Sequence, residues 1–233
     1  MATGADEKRP RGIKAAAPAA ALPSDGAVVE AALLESERLR RYLGTQIPLL
    51  AEVADVLANA IGSRRKIVLF GNGGSAADAQ HLAAEFVGRF TDDRQAWPAM
   101  ALTVNTSAMT AIANDYGYDH VFARQVEALV DPGDVTIGIT TSGDSLNVIR
   151  GLQAARRRGA ITVALTGRGG AAAELADIVL RVPSDDTPRI QEIHIAVGHL
   201  LCGLVEKRLT QGPAPAGARR ARSRRATKRP ARV

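Results

Sequence analysis

Five short apolar runs punctuate the middle of the chain: "KIVLFG" (66–71), "PAMALTV" (98–104), "DVTIGIT" (134–140), "AITVALTG" (160–167) and "ADIVLRV" (176–182). Segments with helical spacing lie between them. Runs of this length, rich in Val and Ile, read as strands buried on both faces. Strands that alternate with helices pair in parallel, because each crossover helix covers one face of the sheet. The pattern predicts an α/β fold with a doubly wound, five-stranded parallel sheet. Two helical segments, "AVVEAALLESERLRRYL" and "IPLLAEVADVLANAIGS", precede the first strand, and a long helix over 188–210 follows the last one. Ligands of such sheets bind beyond the carboxyl ends of the strands, where the strand order switches. The loops that leave the strands are therefore the candidate site.

Composition bounds the rest. With 233 residues, 46% hydrophobic and only 3% aromatic, the core must come from Ala, Leu, Val and Ile. The single cysteine, Cys202, has no partner for an internal disulfide, so a reducing cytoplasm is expected. No apolar run approaches the roughly 20 residues of a membrane span. The N-terminal "KAAAPAAALPSDG" is too short and too broken by Pro to read as a secretion signal. The net charge of +6 is misleading, since residues 211–233 carry eight Lys and Arg and no acid, leaving −2 for residues 1–210. Three regions are expected: a disordered Ala/Pro-rich arm (1–26), one catalytic domain (27–210) and a disordered basic tail (211–233). The tail reads as a solvated extension or a non-specific polyanion binder, and it lacks aromatics for stacking on bases.

Two strand-end loops carry anion-binding chemistry. "GNGGS" places Asn72, Gly73, Gly74 and Ser75 at the start of a helix, where backbone N–H groups and the positive helix end meet an anion. "TTSGDS" adds the hydroxyls of Thr140, Thr141, Ser142 and Ser145. Such loops also simply end strands and cap helices, but two at equivalent strand ends point to a phosphate. No Lys follows the glycines as in a nucleotide P-loop, and the spacing is not the dinucleotide G-x-G-x-x-G. Further along the first helix, His81 and Glu85 stand four residues apart on one face, a spacing that fits two ligands of one zinc ion or a plain surface pair. On the last helix Gln191, Glu192, His194 and His199 interrupt an apolar pattern, and Gln191 and His199 are about 12 Å apart along the axis.

Taken together, "FGNGGSAADAQHLAAEFVGRF", "TTSGDSLNVI" and "RIQEIHIAVGHLLC" resemble the bacterial phosphoheptose isomerases, which are built on the sugar isomerase (SIS) domain, a flavodoxin-like fold. The resemblance runs from about residue 28 to 210. It implies an aldose–ketose isomerase that converts sedoheptulose 7-phosphate to D-glycero-D-manno-heptose 7-phosphate through an enediol, in activated-heptose biosynthesis. It implies a homotetramer with one Zn2+ per subunit, held by His81, Glu85, Gln191 and His199. Glu85 and His199 correspond to the catalytic acid/base pair. Asn72, Gly73, Gly74, Ser75, Glu85, Asn114, Asp115, Thr140, Thr141, Ser142, Ser145 and Gln191 correspond to substrate-binding positions. The alternative is a non-catalytic SIS protein that senses a sugar phosphate or binds the replication initiator. The initiator-binding relative lacks a glutamate at the Glu85 position and has Asn in place of His199, so this chain resembles the enzymes.

Overall fold

The computed structural model describes residues 24–211. Eight α-helices and five strands follow one another as α1 (Asp25–Thr45), α2 (Ile47–Gly62), β1 (Ile67–Gly71), α3 (Gly74–Val87), β2 (Ala99–Ala101), α4 (Thr106–Tyr116), α5 (Val121–Leu129), β3 (Val135–Thr140), α6 (Leu146–Arg157), β4 (Ile161–Thr166), α7 (Ala171–Leu175), β5 (Ile178–Arg181) and α8 (Thr187–Gln211). A 3-10 turn, Tyr118–His120, joins α4 to α5. The five expected strands are all present. β2 is shorter than its sequence run: it pairs only with β1 and ends at Ala101. The expected arm and tail lie outside the described residues, apart from their inner ends. Asp25 and Gly26 are already helical, because the Ser24 hydroxyl accepts the Ala27 N–H and caps α1.

All strand pairs are parallel, in the order β2-β1-β3-β4-β5. This is the doubly wound arrangement that switches direction between β1 and β3. Successive strand residues serve opposite faces. Ile67 and Leu69 pack with α2, α3 and α8 residues such as Leu57, Leu82 and Val197, whereas Val68 and Phe70 pack with Val126, Val148 and Leu152 of α5 and α6. Burying each such Leu, Ile or Phe is worth about 1.5–3 kcal/mol. Phe70 stacks on Phe122 at 5.2 Å, one of few aromatic contacts in an aliphatic core.

The switch decides where the site lies. Gly71 at the end of β1 stands opposite Ile139, one residue before the end of β3. The two glycine- and hydroxyl-bearing loops therefore leave adjacent strands at the same height. α3 and α8 lie side by side on one face: Gln191 meets Gly74, Leu82 packs over Gly198, and Glu206 meets the loop after α3. Contacts at matching intervals along both chains mean that the two helices run parallel. That alignment brings the early part of α8 to the phosphate loop and its middle to His81.

Candidate active site

The loop after β3 is held by its own hydroxyls. Thr140 Oγ1 lies 3.0 Å from Ser145 Oγ and 3.4 Å from Ser142 Oγ, and it accepts the Gly143 N–H at 3.2 Å. Gly143 has φ +79°, and a Cβ there would fall 1.7 Å from the Gly169 carbonyl oxygen, so only glycine fits this turn. Asp144 accepts the Ala171 N–H at 2.9 Å and fixes the turn against α7. Thr141 contributes its carbonyl, which accepts the Gly167 N–H at 3.1 Å.

The loop after β1 is tied to its neighbour by a reciprocal amide pair. Asn72 Nδ2 donates to Asn147 Oδ1 at 2.9 Å, and Asn147 Nδ2 donates to Asn72 Oδ1 at 2.8 Å. The Tyr118 hydroxyl adds a third bond to Asn72 Oδ1 at 3.2 Å. With both side-chain atoms engaged inside the protein, Asn72 offers a ligand chiefly its backbone. Neither α3 nor α6 has a side-chain hydrogen bond at its N-cap, whereas α1 and α4 are capped by Ser24 and Asn105. That leaves the N–H groups of Gly74 and Ser75 at the start of α3 and of Leu146 and Asn147 at the start of α6 for an anion, whereas the Ala76 N–H bonds to the Asn72 and Gly73 carbonyls and the Val148 N–H donates to Asn147 Oδ1 at 2.9 Å. Ser75 is buried beneath the loop. At Gly74 a Cβ would come within 2.6 Å of Gln191 Nε2, so a side chain there would push that amide aside.

One helical stretch beyond the loop, His81 Nε2 lies 2.8 Å from His199 Nε2, with the rings edge to face, and 3.5 Å from Glu85 Oε1. Asp78, one turn before His81, has a buried Oδ2 with no hydrogen-bond partner; burial raises its carboxyl, against the pull of His81 and His199. Gln191 is two turns of α8 before His199 and rests on the phosphate loop. Asn114 and Asp115 are bonded to each other at 2.8 Å on the exposed side of α4. Among the described residues, no three His, Cys, Asp or Glu side chains close into a ready cage for a metal ion. The donor chemistry nevertheless suits zinc. Two imidazole nitrogens facing at 2.8 Å need a proton or a cation between them, and a carboxylate oxygen is at hand.

Two of the polar residues that interrupt the apolar pattern of the last helix are structural. His194 is buried, donates from Nε2 to the Thr166 carbonyl at 3.1 Å, and is pushed by burial down to about 4. Glu192 accepts the Ser36 hydroxyl at 2.7 Å and pairs with Arg189. Asn147 and Tyr118 are the converse. Asn147 lies within the quoted "TTSGDSLNVI", but nothing in its spacing reveals the amide partner across the sheet.

A parallel sheet with two anion-ready loops at its switch, and a His/Glu pair on the helix that one loop opens, defines a protein that handles small phosphorylated substrates. The SIS domain family profile matches residues 35–167. The phosphoheptose isomerase of Rhodospirillum rubrum is 54% identical over 168 residues, covering 72% of this chain and 89% of that protein. The Aquifex aeolicus phosphoheptose isomerase is 58% identical over 159 residues, covering 68% and 83%. The solved phosphoheptose isomerase of Neisseria gonorrhoeae superposes with a TM-score of 0.75 at 43% identity, covering 79% of this chain and all of the other. The chain belongs to the SIS domain family and, within it, to the phosphoheptose isomerases.

Proposed function

We infer that this protein interconverts sedoheptulose 7-phosphate and D-glycero-D-manno-heptose 7-phosphate. The observation that carries this reading is that Glu85 Oε1 and His199 Nε2 approach one atom, His81 Nε2, on the helix that opens with the phosphate loop. The backbone N–H groups of Gly74 and Ser75 and the hydroxyls of Ser142 and Ser145 hold the phosphate, while the buried Thr140 hydroxyl, already bonded to both serines and to the Gly143 N–H, fixes the turn rather than touching the ligand. Binding energy gained at that remote group orients the other end of the sugar over α3 and α8.

The Glu85 carboxylate takes a proton from C1 of the open-chain ketose, and the released electron pair forms the C1–C2 double bond. His199 donates a proton to the former carbonyl oxygen on C2, giving the enediol. In the second half, Glu85 returns its proton to C2. The C1 hydroxyl gives its proton to His199 as the aldehyde forms, and both side chains recover their starting states. Each positioned proton-transfer group contributes about 10²–10⁴-fold.

We propose that His81, Glu85, Gln191 and His199 hold one zinc ion. Bound there, it would supply Lewis-acid polarisation of the sugar carbonyl. A Glu85 bound through one oxygen would keep the other for the carbon-bound proton, and a His199 bound through one ring nitrogen would leave the N–H of the other to serve the sugar oxygens. We also propose a cytoplasmic homotetramer. Val28, Val29, Leu33 and Leu34 are each more than half exposed along α1, an apolar stripe suited to a subunit interface. Cys202 is buried, which pushes its thiol up to about 12, so it is unsuited to disulfide exchange. Among the described residues no helix is long and apolar enough to cross a membrane.

A coupled assay with sedoheptulose 7-phosphate, run with and without a chelator, tests the proposal. Turnover that is lost on chelation and restored by zinc is expected. Absence of turnover in folded, metal-loaded protein would favour a sugar-phosphate-binding regulator.

A further inference from the structure

Arg94 and Glu206 form an ion pair with 4% and 2% side-chain exposure, well away from the phosphate loops. Glu206 is on α8 seven residues after His199, on the same side of the helix two turns on. Its carboxylate accepts the backbone N–H groups of Phe90 (3.2 Å), Thr91 (2.9 Å) and Asp92 (3.1 Å), the Thr91 hydroxyl, and Arg94 Nε (3.1 Å). Arg94 closes the end of α3. Its Nη2 donates to the carbonyl of Glu85 at 2.7 Å, and its Nη1 donates to those of Phe86 (2.9 Å), Gly88 (3.1 Å) and Gln95 (3.0 Å). The guanidinium lies 3.6 Å from the centroid of the Trp97 ring.

These bonds satisfy carbonyls that the last turn of a helix leaves without partners, and a cation there complements the helix dipole. They also form a chain with the site at both ends. The Glu85 peptide is bonded to Arg94, Arg94 to Glu206, and Glu206 shares α8 with His199. The loop gripped by Glu206 carries Phe90, whose ring lies 5.8 Å from that of His199 and packs over Gly203. An ion pair buried this deeply gains little stability over apolar residues of the same shape, because desolvation cancels most of the attraction. What the pair does achieve is a fixed geometry between two helices.

We propose that Arg94 and Glu206 are positioning residues that set the placement of Glu85 relative to His199. The proposal rests on the isomerase reading of the site. It predicts that loosening the clamp harms the proton transfers while leaving the phosphate end of substrate binding intact, since Gly74 and Thr140 make no part of it.

The test is steady-state kinetics with sedoheptulose 7-phosphate on zinc-loaded wild type, Arg94→Lys and Glu206→Gln, with inhibition by inorganic phosphate and thermal unfolding measured in parallel. A displacement of about 1 Å at a catalytic group costs on the order of 10²-fold. Expected is a fall in kcat of ~10–100-fold, with KM and phosphate inhibition within about threefold of wild type, in protein folded at the assay temperature. If both variants fail to fold, Thr91→Val, which removes one donor to Glu206, decides on the same criterion with a loss of about three- to tenfold. Folded variants with wild-type kcat, or with KM and phosphate inhibition weakened as much as kcat, would overturn the proposal. A wild type without turnover would remove the isomerase reading itself, a separate outcome.

Discussion

His81 Nε2 and His199 Nε2 stand 2.8 Å apart although 118 residues separate them in the chain. The parallel pairing of α3 with α8 creates this contact and makes a single site from two distant sequence motifs. If zinc holds the two rings together, purified protein carries about one zinc per chain. His81→Ala then lowers that content while leaving inhibition by inorganic phosphate unchanged. Elemental analysis of active protein showing full turnover without zinc would remove the metal from the mechanism.

The Asn72–Asn147 amide pair predicts a different kinetic signature. Asn147→Asp replaces a donor by an acceptor against Asn72 Oδ1, so one buried hydrogen bond becomes a repulsion. Such changes cost about 1–3 kcal/mol. KM for the sugar phosphate should rise about 5–100-fold, with kcat changed much less, because the phosphate loop shifts while Glu85 and His199 stay in place. Equal affinity for inorganic phosphate in variant and wild type would contradict a role for the pair in shaping that loop.

How far these features were legible in sequence depends on range. The five strands, the switch-point loops and the two long flanking helices follow from periodicity and turn chemistry, which act over a few residues. The His81/Glu85 spacing shows that the pair shares a helix face, but only the α3–α8 packing shows which atoms face them. Asn147, Arg94 and Glu206 were silent for the same reason. An amide, a guanidinium and a carboxylate in polar-looking segments read as surface residues until the fold buries them against partners up to about a hundred residues away. His194 lies close to a ligand motif in sequence, and only the fold shows it to be a buried hydrogen-bond donor to the Thr166 carbonyl. The shortness of β2 was also hidden, because the apolar run continues past the point where the edge strand stops pairing.

His194 gives a pH prediction. Its folded value of about 4 lies below the ordinary 6.5, so the unfolded chain binds more protons between those values. The contribution to stability is complete above pH 6.5 and is lost as pH falls through 4, on the order of 3 kcal/mol in all. His194→Gln keeps a donor for the Thr166 carbonyl and does not titrate, so its Tm should decline less steeply from pH 6.5 to 4. An unchanged slope would place the acid sensitivity elsewhere.

All the assigned site residues precede the end of α8 at Gln211. Deleting residues 212–233 should therefore leave kcat and KM unchanged while abolishing any salt-sensitive affinity for DNA or another polyanion. A truncated protein with reduced kcat at saturating substrate would make the basic segment part of the working enzyme.

The assignment of Glu85 as the base is tested most directly by Glu85→Gln, assayed with sedoheptulose 7-phosphate while zinc is quantified in the same sample. Glutamine keeps the shape and hydrogen-bonding reach of the side chain but cannot accept the carbon-bound proton. With zinc retained, kcat should fall about 10²–10⁴-fold and KM should change far less, since the phosphate contacts remain. A variant that retains zinc and more than about a tenth of wild-type kcat would contradict a base at Glu85.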